Sequence, residues 1–373
     1  MQHETGMDDL RIGIALSGGG IRATIFHLGV LKWMAENEML EKLSYISSVS
    51  GASLCIGLVY SCNDLKWPSS SQFIQNVLPQ MEDILLNNDI QKTALLRVFP
   101  FWLTRRVNIL AKVIEQKWGI HGTMPELEGR PTWCVNCTTY ETGKRFLITR
   151  KKMGDYVVGY VNEHHFPLSE AMAASAGFPV LIGPYKLKRS NYEWNSSGYT
   201  PKKPFVAKGR CYHLWDGGVY DNLGLEPIFK ISADKSGGQL AEGIDYVIVS
   251  NAGAGSGFKK WIIASNPKRL LDIAMDQVTF LRSRSVVSYM KREKNGLFFN
   301  IGNNAHYLLE DAPLSSKEKE QVIKECLPEY QASYVQNYGT TLRKPTKENY
   351  RMILRHGYEV AKCTYLAYGR KGS

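Results

Sequence analysis

Apolar residues fall along this chain in two rhythms. Arg11 to Leu16 is a short apolar run that predicts a buried strand, and Ser17-Gly18-Gly19-Gly20 breaks it. From Ile21 to Asn37 the apolar side chains Ile25, Leu28, Val30, Leu31 and Met34 return at roughly helical spacing. The arrangement then repeats: Tyr45 to Val49 is β-prone, Ser50-Gly51-Ala52-Ser53 reads as the turn, and Leu54 to Tyr60 as an apolar helix. Two successive strand–turn–helix units predict a parallel sheet covered by helices.

Further on, residues 69–118 read as helical, and 132–140, 145–149 and 156–161 as strands. A short small-residue helix over 168–176 is stopped by Gly177-Phe178-Pro179. Residues 185–210 read as a loop-rich insertion. Beyond it, 212–215, 246–250 and 297–301 predict strands, and 226–233, 268–293, 316–326 and 346–368 predict helices, the 268–293 helix long and amphipathic.

Composition narrows the class. With 373 residues, 44% hydrophobic and 22% charged, the chain has the makeup of an ordinary globular protein, which excludes wholesale disorder and a disulfide-stapled miniprotein. The 46 Lys and Arg against 35 Asp and Glu give +11, which favours an acidic partner such as an anionic membrane surface or an anionic substrate. No membrane-spanning helix and no secretion signal are expected. Seven scattered cysteines suit a reducing, cytoplasmic setting. Cys134 and Cys137 form a lone CxxC in a strand-like stretch without a second pair, so no metal site is expected, and His164-His165 reads as a polar loop pair.

Three segments carry candidate chemistry, each following a predicted strand. Ser17-Gly18-Gly19-Gly20-Ile21-Arg22 opens a helix, where glycines let a ligand approach the backbone and the free amides favour an anion or oxyanion. It fits the dinucleotide pattern poorly, because residue 23 is Ala. Gly51-Ala52-Ser53-Leu54-Cys55 lies between strand and helix, the setting of a nucleophile elbow, with Cys55 where a glycine is usual. Asp216-Gly217-Gly218 places a carboxylate at a strand end, the edge where open α/β sheets bind ligands.

Taken together, these segments resemble the patatin-like phospholipases, with Ala174-Ser175-Ala176-Gly177-Phe178-Pro179 similar to the family's small-residue segment. The resemblance covers about residues 11–251. It implies a three-layer α/β fold with a mostly parallel central sheet and helices on both faces. The catalytic domain would span 8–255, and a mainly helical part, 256–373, would pack on it. It implies a lipid acyl hydrolase working through an acyl-serine, without cofactor: Ser53 as nucleophile, Asp216 as base, the amides of Gly18, Gly19 and Gly20 as oxyanion hole, and Arg22 beside them at the substrate. Neutral-lipid lipase, thioesterase and acyltransferase activities share that dyad, and a silent lipid-binding protein would share the fold. A His-containing triad would draw on His27 or His213, but strand alternation sets His213 opposite Asp216.

Two segments suit a lipid surface with peripheral attachment. Residues 186–210 hold seven cations against Glu193, interleaved with Tyr192, Trp194, Tyr199 and Phe205. Arg97 to Arg106 reads as an aromatic wedge flanked by charge. The same mix of cations and aromatics would suit single-stranded nucleic acid, but nothing else in the sequence supports that reading, and no nucleic acid is expected as a partner.

Overall fold

The structure is a computed structural model that describes residues 10–98, 106–178, 183–195, 209–232, 237–255 and 267–369. Ten strands form its main sheet: β1 (Ile12–Leu16), β2 (Leu43–Val49), β3 (Thr132–Thr139), β4 (Arg145–Thr149), β5 (Lys152–Asp155), β6 (Gly159–Asn162), β7 (Tyr185–Lys188), β8 (Cys211–Asp216), β9 (Tyr246–Asn251) and β10 (Gly296–Asn300). The order β10-β9-β1-β2-β3 is parallel throughout, and β4, β5, β6, β7 and β8 extend it antiparallel. The parallel half carries the two strand–turn–helix units. Helix α1 (Gly20–Glu36) follows β1, and α2 (Gly51–Ser61) follows β2.

Strand alternation explains why helices cover both faces. Ile12, Ile14 and Leu16 of β1, with Ile248 of β9, enter the larger core, which also receives α1 and α2. Ala15, Val247 and Val249 point the other way into a smaller core with Leu225, Phe229, Val286 and Met290. Buried on both sides, β1 has no polar position to show, which is why it reads as an unbroken apolar run.

Three expectations change. The strand over 156–161 becomes a hairpin, with β5 and β6 paired across Asp155 and Gly159. The helix expected over 226–233 is absent from its described residues, 226–232: Phe229–Lys230 is a two-residue strand paired with Gln239–Leu240, because Phe229 is drawn into the smaller core. And α2 begins at Gly51, three residues before Leu54, so the turn after β2 shrinks to Ser50.

The last 120 residues build onto the same sheet. β10 pairs with β9, and the C-terminal helix α5 (Lys347–Tyr368) lies along α1; α3 (Leu168–Ser175) and α4 (Pro267–Glu293) come between α2 and α5 in the chain. The α1–α5 crossing is tight because it is glycine on both sides: a Cβ on Gly29 would run into the Leu354 carbonyl, and one on Gly357 into the Phe26 carbonyl. The fully buried His356, donating to Ile301 O at 2.8 Å, and Cys363 fill the seam.

Gly357→Ala should therefore cost about 1–3 kcal/mol of unfolding free energy in urea titrations. Gly339→Ala, where a Cβ meets no neighbour, is the control and should stay near wild type.

Candidate active site

The site forms at the carboxyl edge of the parallel strands, where β1, β2 and β8 each deliver one loop. β2 ends at Val49, α2 starts at Gly51, and Ser50 alone makes the turn, with φ 53° and ψ −119°. A serine is rarely held at positive φ, and strain of that kind at a strand-to-helix turn is the geometry that lifts a hydroxyl clear of a sheet. Gly51 is required by close approach: a Cβ there would collide with the carbonyl of Gly20. Thr24 Oγ1 of α1 donates to Gly51 O at 2.8 Å and locks the two loops together.

The expectation for the serine needs correcting. Ser53 sits inside the first turn of α2, is wholly buried, and lies 2.8 Å from Ser48 Oγ and 2.9 Å from Ser175 Oγ. The ends of this chain set the direction of every proton. Trp133 Nε1 can only donate, and does so to Ser48 Oγ at 2.8 Å; Asn136 O can only accept, and takes the Ser175 hydroxyl at 2.8 Å. Ser53 therefore accepts from Ser48 and donates to Ser175, which also receives the Ser50 amide at 2.9 Å. Asp216 is not among the hydrogen-bond partners of Ser53. The serine whose hydroxyl favours the ionised Asp216 carboxylate is Ser50, 8% exposed at the turn.

Asp216 ends β8, opposite Cys137 of β3 in the ladder. Its backbone is held from both sides: its amide donates to Gly177 O at 3.0 Å, and Thr138 Oγ1 donates to its carbonyl at 3.0 Å. Its carboxylate accepts the Gly218 amide at 2.7 Å. Burial pushes this acid up to about 6, against the pull of the Ser50 hydroxyl and the Gly218 amide, both of which favour the ionised form. An aspartate near 6 is ionised at neutral pH, yet basic enough to take a proton from a neighbour.

The glycine loop lies directly against Ser50, since a Cβ on Gly18 would come 3.1 Å from Ser50 Cβ and one on Gly51 3.0 Å from Gly20 N. Its three amides are not equivalent. Gly18 N–H donates to Asn222 O at 3.1 Å, whereas those of Gly19 and Gly20 have no acceptor among the described residues. Gly19 and Gly20 both hold positive φ, 149° and 64°, which turns the loop into α1. Arg22 is 2% exposed, and its guanidinium is spent on protein oxygens: Ala252 O at 3.1 Å, Gln336 O at 3.4 Å, Thr340 Oγ1 at 3.4 Å and Tyr338 O. Burial without an anionic neighbour brings it down to about 10. Arg22 thus tethers the 336–341 segment to the loop, while Ile21 N–H donates to Thr341 O at 2.8 Å.

The histidines lie elsewhere. His27 is fully buried between Ser250 Oγ at 3.0 Å and Ser17 O at 2.9 Å, and burial lowers it to about 4. His213 pairs with Glu141 at 2.7 Å. Cys134 and Cys137 occupy opposite faces of β3, and the described residues hold no cluster of three or more metal-ligating side chains. The aromatic stretch 99–105 and residues 196–208 of the basic segment fall outside the described residues.

Sequence reasoning missed Ser50, Ser175 and Asn136. One signal was available for Ser50: Ser48-Val49-Ser50-Gly51-Ala52 carries small residues on both sides of a serine that directly follows the strand. Ser175 and Asn136 reach the site only through the fold.

Comparison with known proteins bears on the family and the fold. The sequence profile described as Patatin-like phospholipase matches residues 14–229. No curated protein matches the chain. Among solved structures, human GIVD cytosolic phospholipase A2 superposes with a TM-score of 0.55 at 12% identity, over 98% of this chain and 62% of its own. The chain thus spans less than two thirds of that relative, and the likeness is one of fold. VipD from Legionella pneumophila is more distant, with a TM-score of 0.39 at 14% identity over 96% of this chain and 67% of its own. With the profile covering more than half of its length, the chain belongs to the patatin-like phospholipase family.

Proposed function

We propose that this protein is a serine-dependent lipid acyl hydrolase of phospholipase or lysophospholipase type, with Ser50 as nucleophile and Asp216 as its base. The observation that carries the reading is the pairing of a strained turn serine with a buried, proton-hungry aspartate beside two unengaged amides. Membership of the family supplies the substrate class.

The chemistry follows from the geometry. As Ser50 Oγ attacks the ester carbonyl carbon, its proton passes to Asp216, and the carbonyl π electrons move onto oxygen. The amides of Gly19 and Gly20 receive that oxyanion; loss of one such donor costs about 3–4 kcal/mol of transition-state stabilisation in comparable sites. When the tetrahedral intermediate collapses, the carbon–oxygen bond to the alcohol breaks and Asp216 returns the proton to the leaving oxygen. Water then repeats the sequence against the acyl-serine and releases the fatty acid. An alcohol in place of that water would give acyl transfer, so product analysis on a lipid panel separates hydrolase from transferase.

Setting and partner belong to the same proposal. All seven cysteines are free thiols, which supports a reducing, cytoplasmic compartment. No helix among the described residues is long and apolar enough to cross a membrane. In this reading access to lipid is peripheral, and the +11 charge favours an anionic surface.

Labelling with a fluorophosphonate serine probe tests the nucleophile. Ser50→Ala should lose the label. Ser53→Ala should keep it while losing about 1–2 kcal/mol of stability, because a buried hydroxyl chain is broken. A label that survives in Ser50→Ala but disappears in Ser53→Ala sinks the assignment.

The pH dependence of Asp216 gives two readouts. Only the ionised carboxylate can accept the serine proton, so kcat/KM should rise with pH, half-maximal near 6, and then level off. Stability should run the opposite way. The folded-state value lies above the ordinary carboxylate range, so ionisation costs stability progressively from about pH 4 to 6 and fully above that. Asp216→Asn should thus be inactive yet more stable than wild type at pH 8, by on the order of 3 kcal/mol, with the gain gone at pH 4. A flat difference between those pH values would contradict the buried-acid assignment.

A further inference from the structure

Seven thiols are spread over this chain, and the fold brings two of them together. Cys326 and Cys363 are 37 positions apart in sequence, and their sulfurs lie 3.9 Å from one another. The other five make no such pair among the described residues. Cys134 and Cys137 face opposite ways from β3, and Cys55, Cys62 and Cys211 have no thiol partner.

The contact is set by the backbone on both sides of Cys326. That residue follows the helix Ser316–Glu325. Just before it, Glu325 O accepts from Arg355 Nη2 of α5 at 2.7 Å. Just after it, the Leu327 amide donates to Glu359 Oε2 of α5 at 2.8 Å. Both flanks are therefore bonded to α5, and Cys326 is held facing Cys363, one helical turn beyond Glu359. The bonded distance between sulfurs is about 2 Å, so each has about 1 Å to travel.

The two sulfurs are not equivalent. Cys326 is 9% exposed, whereas Cys363 is shut in completely. A hydrogen bond from Cys363 holds the Cys326 thiol below its usual range, and the same bond, with burial, pushes Cys363 up. The neighbouring cations are already engaged: Arg355 pairs with Glu359 at 2.6 Å and Lys362 with Glu325 at 3.6 Å. One sulfur with thiolate character at the rim and a protonated one behind it suit an attacking and a resolving thiol.

The stretch between them is the one that supports the glycine loop. Gln336, Tyr338 and Thr340 hold the Arg22 guanidinium, and Thr341 O takes the Ile21 amide. Thr341 Oγ1 and the Leu342 amide both bond Gln91 Oε1, at 2.7 and 2.8 Å. Gly357, packed on the Phe26 carbonyl, lies in the same stretch.

We propose that Cys326 and Cys363 form a redox latch, closing to a reversible disulfide under a hydroperoxide and tying off the segment that holds the start of α1. The Cys326 thiolate attacks one peroxide oxygen, the O–O bond breaks, and a hydroxide leaves and takes up a proton as water. The Cys363 sulfur then displaces the second oxygen from the Cys326 sulfenic acid. The S–O bond breaks as the S–S bond forms, and that oxygen departs with the Cys363 proton as a second water. Two thiols have given up two electrons to one hydrogen peroxide. A bond of this kind in a reducing compartment is transient, made by oxidant and undone by thiols.

The full-length protein is reduced, freed of reductant and exposed to a small molar excess of hydrogen peroxide. Samples are alkylated over time and digested without reductant for mass mapping. Wild type should lose two of its seven free thiols together, yield the peptides joined through Cys326 and Cys363, and regain both thiols in dithiothreitol. Its melting temperature should rise by about 5 °C on oxidation, because the closed ring restricts the unfolded chain. Cys326→Ser should lose thiols at least about tenfold more slowly and show no such rise. In Cys363→Ser, Cys326 should stop at the sulfenic acid and label with dimedone. Cys62→Ser, which removes a more accessible thiol, should behave as wild type.

Oxidation that falls first on Cys62 or Cys211 and leaves the Cys326–Cys363 pair reduced overturns the proposal. So does a disulfide that leaves the melting temperature unchanged or lower. The mass map is made on wild type, so a variant that fails to fold does not shelter the idea. None of these readouts needs a lipid substrate, and the hydrolase reading stands or falls separately.

Discussion

A carboxylate withdrawn from water must be repaid by donors or else take up a proton, and Asp216 is suspended between the two. Burial raises it to about 6, while one amide and one hydroxyl hold it down. Removing either donor would push it further toward the neutral acid; opening the site to water would return it to an ordinary weak base. The rest of the architecture maintains this balance. β8 carries Asp216 into the interior, β3 and the segment after α3 clamp its backbone, and Ser50 supplies the hydroxyl. The reactivity proposed for this site would be a consequence of imperfect solvation, held in place by a fold stable enough to bear the cost.

The serine network shows how much of a site can be devoted to holding still. Trp133, Ser48, Ser53, Ser175 and Asn136 form a run of hydrogen bonds with a fixed direction, and the Ser50 amide joins it at Ser175. Every hydroxyl in the run has already committed its proton inside the protein. Ser50 differs in facing a carboxylate and in lying at the turn. Identical side chains a few residues apart thus acquire different chemistry from their partners alone.

The C-terminal third contributes more than bulk. α5 presses on α1 through paired glycines, and the 336–341 segment takes both the Arg22 guanidinium and the Ile21 amide. These contacts fix the start of α1, and with it the amides of Gly19 and Gly20. A region with no motif of its own therefore sets the geometry of the loop that has the clearest one. On the other face of the sheet, α4 is pinned by Arg282 to Glu226 and Asp221 and sends Val286 and Met290 into the smaller core.

Much of this was legible from the chain alone. The periodicity of residues 11–60 specified two strand–turn–helix units, because buried parallel strands and the helices covering them leave opposite hydropathy rhythms. The glycine loop stood out because few other residues tolerate the positive φ of Gly19 and Gly20, whereas Gly217 of the Asp-Gly-Gly turn is required by close approach, a Cβ there meeting Asn136 O. What the chain could not say by itself was which serine faces the acid. Ser50 and Ser53 occupy the same short turn-like stretch, and the small residues around Ser50 compete with the Gly-x-Ser pattern that Gly51 gives Ser53. The choice depends on where α2 begins, which is set by the approach of Gly51 to Gly20 and by a hydroxyl at 175 that captures Ser53. Contacts between residues 31 and 122 positions apart leave no periodic trace, so the folded chain decided between two hydroxyls one helical turn apart.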